Sequence, residues 1–518
     1  MKAGVNVNKQ MISPGRQVNS LYWASGIVSI CGIIFEVLFG ALGSYILGDG
    51  VKQYTLTISL FLTGMGIGAA ISEKVTKNLI LSFVWIEYAI GLIGGFSAFI
   101  LFGVTAYLPG GTDALVLYGI TLIVGTFTGV ELPVLIRKAN EIGVSLSRST
   151  ARVLFSDYAG GLAGGLLFVF LLRPQFGLVK TPFLVALVNV GIALWILWLF
   201  RSQIKHFKIH AFFGIFFLII LIVGVLFGEQ TAFRFEQRLY QDTIVHAEET
   251  AYQRIIITRN GGDTRLYLNG QLQLSSVDEH RYHEALIHPA MSAAEKREKV
   301  LILGGGDGAA LREILKYDDV KDVTLVDLDP RVVQLAKTNH FLLDINQRSL
   351  FSPKVDVLHQ DAFQFLESHK GFFDVIIIDL PDPNNEALNK LYTFEFYSLV
   401  RNHLSPGGTM EVQATSPVFA REAYWTINKT IQSTGLHTLN LHVDVPSFGN
   451  WGFVLASREE ITEDEMSVMV ETDFLTNDVL SALTAFGKDE GPPKEDVEVN
   501  TLINPLLLEL YESSWKFY

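Results

Sequence analysis

Cysteine and charged side chains are both scarce in this chain of 518 residues. The single cysteine, Cys31, excludes internal disulfide bonds and any metal site built from several cysteines. Charged residues make up 18% of the chain, against about 25% in ordinary soluble domains. Apolar residues make up 49%, and the mean hydropathy is +0.32. This composition excludes a disordered chain, a collagen-like chain and a small disulfide-rich scaffold.

The second half of the chain has a large excess of negative charge, and the first half does not. Residues 1–230 carry 15 Lys and Arg against 9 Asp and Glu, a net charge of +6. Residues 231–518 carry 25 against 44, a net charge of −19. An acidic half argues against binding of nucleic acid, whose partners need clustered positive charge. It suits a cationic ligand, although acidic surfaces also serve solubility alone.

Long apolar stretches are abundant in the first half, and seven of them are long enough to cross a bilayer. A cleaved signal peptide does not explain them, because the first is too long and six more follow. We therefore predict an N-terminal tail at 1–20 and an α-helical transmembrane bundle of about seven spans at 21–228. The stretches cover residues 21–47, 54–73, 79–104, 113–136, 152–172, 182–200 and 210–228.

The distribution of Lys and Arg predicts how the bundle is oriented in a membrane. Basic residues cluster before the first stretch and in alternate loops, which places the N-terminal tail in the cytoplasm. Seven spans would then place the acidic half outside the cell, whereas its chemistry leads us to expect a cytoplasmic catalytic domain. The conflict disappears if one apolar stretch is re-entrant or interfacial.

Four carboxylates lie within or at the ends of these apolar stretches: Glu36, Glu87, Glu131 and Asp157. Charged groups inside a membrane are costly, so such residues raise a functional hypothesis by default. One interpretation is a path for a polyamine or a proton. The other is structural pairing with Arg137 and Arg152, which are near in sequence.

The second half follows two successive patterns. Residues 231–248 read as an amphipathic connector, and the alternating segments 254–259 and 264–274 predict β-hairpins in a small antiparallel β domain at 229–290. From Lys299 onward, buried strands alternate with helices, which predicts an α/β Rossmann-like domain of the methyltransferase type at 291–518. In such sheets the ligand binds beyond the carboxyl ends of the strands.

A glycine run and an acid stand at two of those strand ends. Gly304-Gly305-Gly306-Asp307-Gly308 follows the first strand, and Asp327 ends the second about twenty residues later, where an acid binds ribose hydroxyls. Asp307 would repel a pyrophosphate, so the pattern favours an adenosyl ligand without phosphates. A tight turn with a solvated aspartate is the alternative.

Further acids stand at the next two strand ends. Asp361-Ala362 occupies a position that often meets the adenine amino group, although an ordinary helix N-cap explains the aspartate equally simply. Asp379 and Asp382 flank a proline-containing loop, where solvated acids are the plainer interpretation. A rim of five aspartates with few basic residues predicts a cationic ligand.

The order and spacing of five motifs resemble the polyamine aminopropyltransferases, the spermidine synthases, in their membrane-embedded bacterial form. The motifs are LNGQLQLSSVDEHRYHEAL, GGGDGAALREIL, VDLD, DA and DLPDP, within about residues 250–455. The resemblance implies transfer of the aminopropyl group of decarboxylated S-adenosylmethionine to a diamine, most simply putrescine, giving spermidine and methylthioadenosine. The donor is a cosubstrate, so no cofactor or metal is implied. The implied partners are the diamine, the adenosyl donor and a lipid bilayer, with no nucleic acid, and a homo-oligomer stays open.

The resemblance also implies roles for individual residues. Asp379 corresponds to the catalytic base. The implied donor-binding residues are Gln253, Asp307, Asp327, Asp361 and Ala362. The implied residues for the diamine are His283, Asp307, Asp379 and Asp382.

Several positions depart from the family pattern, all near the acceptor. Asn269 replaces the usual Asp, Leu380-Pro381 replaces small residues, and Asn384-Asn385-Glu386 replaces a Gly-Pro. These departures bear on the acceptor more than on the reaction. Two alternatives stay open: a membrane-associated methyltransferase that uses S-adenosylmethionine, and a polyamine transporter or sensor with a binding module.

Overall fold

The computed structural model describes residues 14–48, 50–108, 110–494 and 497–514 of the chain. It divides into two compact units, which we call the helical unit (Met1–Gln241) and the C-terminal unit (Asp242–Tyr518). Residues 1–13 of the predicted tail lie outside the described residues, and a helix already begins at Pro14. The division falls after the boundary expected at residue 228, because the last long helix continues through polar residues to Glu236.

In the described residues, seven long α-helices build the helical unit, one at each apolar stretch. A helix pairs most of its backbone groups within itself, which is the arrangement that a membrane-spanning segment needs. They pack with α2 against α4, α1 against α5 and α3 against α6. The helices are α1 Pro14–Leu47, α2 Gly50–Ile71, α3 Leu79–Tyr107, α4 Thr112–Glu141, α5 Leu146–Leu167, α6 Arg173–Leu199 and α7 Phe207–Glu236.

Length and composition mark six helical stretches in the described part of the chain as able to cross a membrane. The fifth stretch, Leu146–Leu199, joins α5 and α6 through a π-helical turn at Phe168–Leu172 and has a break at Gly177, with φ 63° and ψ −170°. Thr181 Oγ1 donates a hydrogen bond to the Leu172 carbonyl at 3.3 Å. A continuous helix would separate those residues by about 13 Å, so the chain folds back here. Seven spans stay a prediction.

The C-terminal unit begins with a four-stranded antiparallel sheet in chain order. Its turns are those the sequence predicts, with Asn269 and Gly270 both at positive φ in a two-residue hairpin. The interpretation of residues 231–248 as a connector was wrong for the second half of that segment, which forms the first strand of this sheet. This strand lies at one edge of the sheet, pairs with the second strand and buries little apolar surface. The strands are β1 Thr243–Glu249, β2 Arg254–Asn260, β3 Asp263–Leu268 and β4 Gln271–Ser275.

A seven-stranded sheet follows, in the order β10-β11-β9-β8-β5-β6-β7. The first five strands along the chain are parallel, and the last two form an antiparallel hairpin at one edge. The chain runs from β5 outward to β7 and then crosses to β8 on the other side of β5, which creates a switch point between β5 and β8. The strands are β5 Lys299–Gly304, β6 Asp322–Asp327, β7 Val355–His359, β8 Phe373–Asp379, β9 Leu404–Gln413, β10 His437–Val445 and β11 Gly449–Ser457.

Helices cover both faces of this sheet and bury its Val-, Ile- and Leu-rich strands in two apolar clusters. That arrangement matches the predicted Rossmann-like α/β class. The helices are α8 Glu279–Ala293, α9 Ala309–Ile314, α10 Pro330–Thr338, α11 His340–Asn346, α12 Ala362–Ser368, α13 Glu386–Asn389, α14 Phe394–His403, α15 Arg421–Ser433, α16 Asn477–Ala482 and α17 Leu506–Ser514.

Candidate active site

The carboxyl ends of β5 and β8 meet at the switch point of the large sheet. Gly304 pairs with Asp379 in register, and the next amide, that of Gly305, donates to the Asp379 carbonyl at 3.1 Å. Gly304 has a φ of 87°, and a Cβ atom on it would lie 2.0 Å from that carbonyl oxygen. Only glycine permits this approach. The first glycine therefore holds the Asp379 strand end in place as well as leaving room for a ligand.

Three of the predicted residues converge there. Ligand atoms of His283, Asp307 and Asp379 lie within 4.8 Å of one another. His283 comes from α8, Asp307 from the glycine loop and Asp379 from the end of β8. Residues almost a hundred positions apart along the chain thus form one cluster of two acids and one imidazole.

Asp379 has a donor of its own. The Tyr282 hydroxyl donates to Asp379 Oδ1 at 2.8 Å. Burial raises the pKa of Asp379 to about 6; neighbouring His283 opposes the rise, Asp307 adds to it, and the Tyr282 hydrogen bond opposes it. Near neutral pH the group is an ionised carboxylate that accepts a proton more readily than an exposed aspartate does.

His283 is held by a buried chain of charges. Its Nδ1 donates to Glu279 Oε2 at 2.6 Å, and Arg312 donates to both oxygens of Glu279 at 2.8 and 3.0 Å. Burial opposes protonation of His283, yet the Glu279 carboxylate and the two aspartates raise its pKa to about 9. Burial likewise opposes ionisation of Glu279, but His283 and Arg312 hold its pKa at about 2. The imidazole is therefore cationic at neutral pH, with Nε2 left to face the aspartates.

Asp382 lies three residues after Asp379 and is buried. Its Oδ2 accepts hydrogen bonds from the Tyr511 hydroxyl at 2.9 Å and the Thr415 hydroxyl at 3.3 Å, whereas Oδ1 has no donor within the described residues. Burial raises the pKa of this carboxyl to about 6, and its hydroxyl donors oppose the rise. An acid oxygen without a donor suits a cationic or hydrogen-bonding ligand.

Asp327 is oriented by backbone amides at the end of β6. Its two oxygens accept from the amides of Gly306 at 3.1 Å and Asp329 at 2.9 Å. A Cβ atom at Gly306 would lie 2.4 Å from Asp327 Oδ2, so the glycine run also makes room for this acid. Burial raises the pKa of Asp327 to about 6, against these amide hydrogen bonds. Gln253 Nε2 donates to Asp329 Oδ2 at 3.1 Å, which brings Gln253 to the same rim.

Asp361 and Ala362 stand apart from that cluster in their contacts. Asp361 Oδ1 accepts from the Gln364 amide at 3.1 Å and so caps α12, as the simpler interpretation of the sequence held. Its Oδ2 accepts from Lys390 Nζ at 2.6 Å, and Ala362 is buried. The rim is thus less uniformly acidic than the sequence suggests, and the adenine role of this pair stays a prediction.

The sequence did not identify four residues that support the site: Tyr282, Arg312, Thr415 and Tyr511. Tyr282 and Arg312 lie inside recognised motifs, but only the fold shows what they bind. Thr415 and Tyr511 reach Asp382 from 33 and 129 residues away, and nothing in the local sequence signals either contact.

The composition of the His283, Asp307 and Asp379 cluster is that of a metal site. Its electrostatics fit a metal poorly, because a metal needs a neutral imidazole and Glu279 keeps His283 protonated. Two carboxylates beside one fixed cation suit an organic ammonium or sulfonium better.

The C-terminal unit matches a known family and has close relatives. The spermine/spermidine synthase domain matches residues 279–466. The polyamine aminopropyltransferase of Oceanobacillus iheyensis is 67% identical over 505 residues, covering 97% of this chain and 99% of the relative. That of Leptospira interrogans is 41% identical over 96% of this chain and 98% of the relative. These alignments include the helical unit.

Solved structures also resemble part of the chain. A spermidine synthase in complex with the transition-state analogue AdoDATO has 25% sequence identity and a TM-score of 0.44, and the match covers 47% of this chain and 85% of that one. The spermidine synthase from Thermotoga maritima has 26% identity, with the same TM-score and the same share of this chain.

Proposed function

Because this chain belongs to the polyamine aminopropyltransferase family, we propose that it makes spermidine from putrescine with Asp379 as the general base. The chain is an aminopropyltransferase. The family uses decarboxylated S-adenosylmethionine as a substrate and needs no cofactor. The acceptor and the residue roles are the proposed part.

The donor occupies the rim formed by β5, β6 and β7. Asp327, oriented by two amides, binds the ribose hydroxyls through its remaining lone pairs. Gln253 turns from Asp329 to the nucleoside, and Asp361 with Ala362 borders the adenine. Asp307 attracts the amine end of the aminopropyl chain and would repel the carboxylate of intact S-adenosylmethionine, which favours the decarboxylated donor.

The reacting amine of the acceptor binds beside Asp379. The position of this carboxylate at the switch point is the observation on which the proposal rests. An alkylammonium has a pKa near about 10.4 by analogy with lysine, so it arrives protonated and without a lone pair. Asp379 takes a proton as the nitrogen attacks the aminopropyl carbon. A C–N bond forms, a C–S bond breaks, and the sulfonium leaves as the neutral thioether of methylthioadenosine. Asp382, whose Oδ1 has no donor in the described residues, binds the far end of the diamine, and the cationic His283 holds the carboxylates of Asp379 and Asp307 in position.

A comparison of two donors tests this function. The purified full-length chain is incubated with putrescine and either decarboxylated or intact S-adenosylmethionine, and the nucleoside products are separated. We expect methylthioadenosine and spermidine from the first donor and no product from the second. Formation of S-adenosylhomocysteine alone would reject aminopropyl transfer in favour of methyl transfer.

The helical unit is proposed to lie in the cell membrane, with the C-terminal unit on the cytoplasmic side where the donor is made. Large apolar side chains are exposed along α7, among them Phe212 and Leu226 at 65% each. Such a surface is unsuited to water and suited to lipid.

A pair of reporter fusions tests the side of the membrane. One phosphatase reporter follows Lys205, between α6 and α7, and the other follows the C-terminal end of the full chain. The proposal requires a cytoplasmic position at the C-terminal end; six crossings that end with α7 then place Lys205 outside, whereas a cytoplasmic position at both sites would mean that α7 does not cross. A cytoplasmic signal at Lys205 with an external signal at the C-terminal end would instead support seven spans and an external C-terminal unit.

A further inference from the structure

A cavity of about 130 Å³ lies within the helical unit, among α1, α2, α4 and α5. Its polar lining residues are Ser25, Thr128, Glu131 and Asp157, and Val28 and Met65 belong to its apolar wall. The polar groups come from three helices, so the tertiary structure assembles the site. It belongs entirely to the helical unit and uses none of the residues proposed for transfer.

The acids at this cavity have no basic partner. Glu131 is buried and interacts electrostatically with Asp157 and with Glu87, which is completely buried. No ion pair to any of these three occurs in the described part of the chain. Arg137 donates to the Ser72 carbonyl at 2.6 Å, and Arg152 lies over the Tyr22 ring, so the structural pairing considered from the sequence is not formed.

Buried polar atoms near the acids also lack partners. Ser25 is 1% exposed and lines the cavity, yet its hydroxyl has no hydrogen-bond partner in the described residues. Asn189 donates to Glu87 Oε2 at 2.6 Å, and the Glu87 and Glu131 side chains share a hydrogen bond, while Asn189 Oδ1 has no partner in the described residues. Buried polar groups are normally satisfied, so these atoms point to a ligand with several donors.

The lining selects the class of ligand. A cavity of this volume holds about four non-hydrogen atoms if each takes the roughly 30 Å³ of one water. Carboxylates at one end and an apolar wall beside them complement an ammonium head followed by methylene groups. A bare inorganic cation would leave the apolar wall without a partner, and a proton would leave the Ser25 hydroxyl and the volume unused.

We infer that this cavity is a second amine site, which binds one terminal ammonium group of a polyamine at Glu131 and Asp157. The choice of a polyamine as the amine rests on the proposed function. The ammonium donates to the carboxylates and meets the Ser25 hydroxyl, and the first methylenes of the chain lie along Val28 and Met65. Occupation of this site supplies the positive charge that the buried acids lack.

Equilibrium dialysis of the full-length chain in detergent against radiolabelled putrescine, without adenosyl donor, tests the inference. We expect two putrescine molecules per chain and one in Glu131→Gln. Glu36→Gln is the matched control, because Glu36 is also a buried glutamate of the helical unit but does not line the cavity, and it should keep two. Ser25→Val, which keeps every charge, should weaken the second equivalent about tenfold or more.

The outcomes separate this inference from the proposed function. Asp382→Asn should lose the other equivalent, that of the C-terminal unit. Loss in Glu131→Gln with no change in Asp382→Asn would uphold the helical site and reject the proposed acceptor site. One putrescine in the full chain, unchanged in Glu131→Gln, would overturn the helical site, as would equal losses in Glu131→Gln and Glu36→Gln. Size-exclusion profiles verify that each variant is folded. If Glu131→Gln does not fold, the putrescine binding of Ser25→Val decides whether the helical site exists.

Discussion

Glu279 and Asp379 of the C-terminal unit have fixed donors beside them, whereas Glu131 and Asp157 of the helical unit line a cavity without a basic partner in the described part of the chain. Glu279 binds an imidazole and a guanidinium, and Asp379 receives a tyrosine hydroxyl. Glu131 and Asp157 have no cation beside them in the described residues. The first arrangement fixes charges in advance of a substrate, and the second requires a ligand or a proton to complete it.

The two units also differ in where their apolar side chains lie. The C-terminal unit buries them on both faces of its sheet, and the helical unit exposes many of them along its helices. In the proposed membrane location, the same apolar residue types serve a core in water in one unit and a surface in lipid in the other. Acids of the helical unit would then be more costly to leave unpaired than those of the C-terminal unit.

The largest expected effect is that of Asp379→Asn, which keeps the shape of the side chain and removes its basicity. We expect the rate of spermidine formation to fall by about a thousandfold, because general-base catalysis contributes roughly a hundred- to ten-thousandfold. Methylthioadenosine binding, measured by calorimetry, should change little. Asp356→Asn, at an exposed position on β7, is the control and should retain full activity. Equal activity of both variants would remove Asp379 from the role of base.

A smaller effect is expected from Glu279→Gln, which breaks the charged chain behind His283. Without the carboxylate, the His283 pKa should fall from about 9 toward or below its usual 6.5, as burial disfavours the charged form. NMR titration of the imidazole measures this change. We expect about a tenfold rise in KM for putrescine with a smaller effect on kcat, since the charged His283 positions the two aspartates that the diamine meets.

Glu279→Gln should also change the way in which stability depends on pH. The folded-state pKa of His283 is raised, so its contribution is fully present below pH 6.5 and is lost as pH rises through about 9. The thermal midpoint of the native chain should therefore fall by several degrees as the pH rises between those values, and the midpoint of Glu279→Gln should not show this fall. A pH dependence identical in the two proteins would contradict the cationic state of His283.

Tyr282→Phe removes the donor to Asp379 and should have a still smaller effect. A hydrogen bond to a charged group is worth roughly 1.5–3 kcal/mol, but only part of it bears on the rate because Asp379 loses its charge as it takes up the proton, so a rate loss of less than about tenfold is expected at neutral pH. The Asp379 pKa should rise further, because the tyrosine hydrogen bond holds it down. The acid limb of the pH–rate profile should move to higher pH. A movement to lower pH would show that Tyr282 does not act through Asp379.

The smallest effect is expected from Lys390→Gln, which frees Asp361 of its ion pair. A partly exposed pair of this kind is worth about 0–1 kcal/mol, so stability should change little. If Asp361 borders the adenine, the donor KM should change by no more than about threefold, with kcat unaltered. A loss comparable to that of Asp379→Asn would place Lys390 in the chemistry.

Much of the architecture could be predicted from local sequence. The alternation of apolar residues and the Asn269-Gly270 turn predict the hairpins, and the glycine run after a buried strand predicts the switch-point loop, because these signals act over a few residues. Strand β1 was missed since its segment has no buried face strong enough to show as alternation. The fold-back near Gly177 was not expected as such, because a positive φ at glycine carries no signal in the chain.

The candidate site divides in the same way. Asp307, Asp327 and Asp379 could be anticipated at strand ends, since parallel strands bring their carboxyl ends to one edge. The charge state of His283, the ion pair of Asp361 with Lys390 and the donors to Asp382 could not, because each depends on a partner brought from elsewhere in the chain.

Local patterning determined which segments are helices or strands, which half is apolar, and which acids end strands, since periodicity and backbone sterics act within a few residues. Tertiary structure alone decided which of those acids are charged, paired or left without a partner. A carboxylate takes its pKa and its hydrogen bonds from groups within a few ångströms, and in this chain those groups are up to 129 residues away.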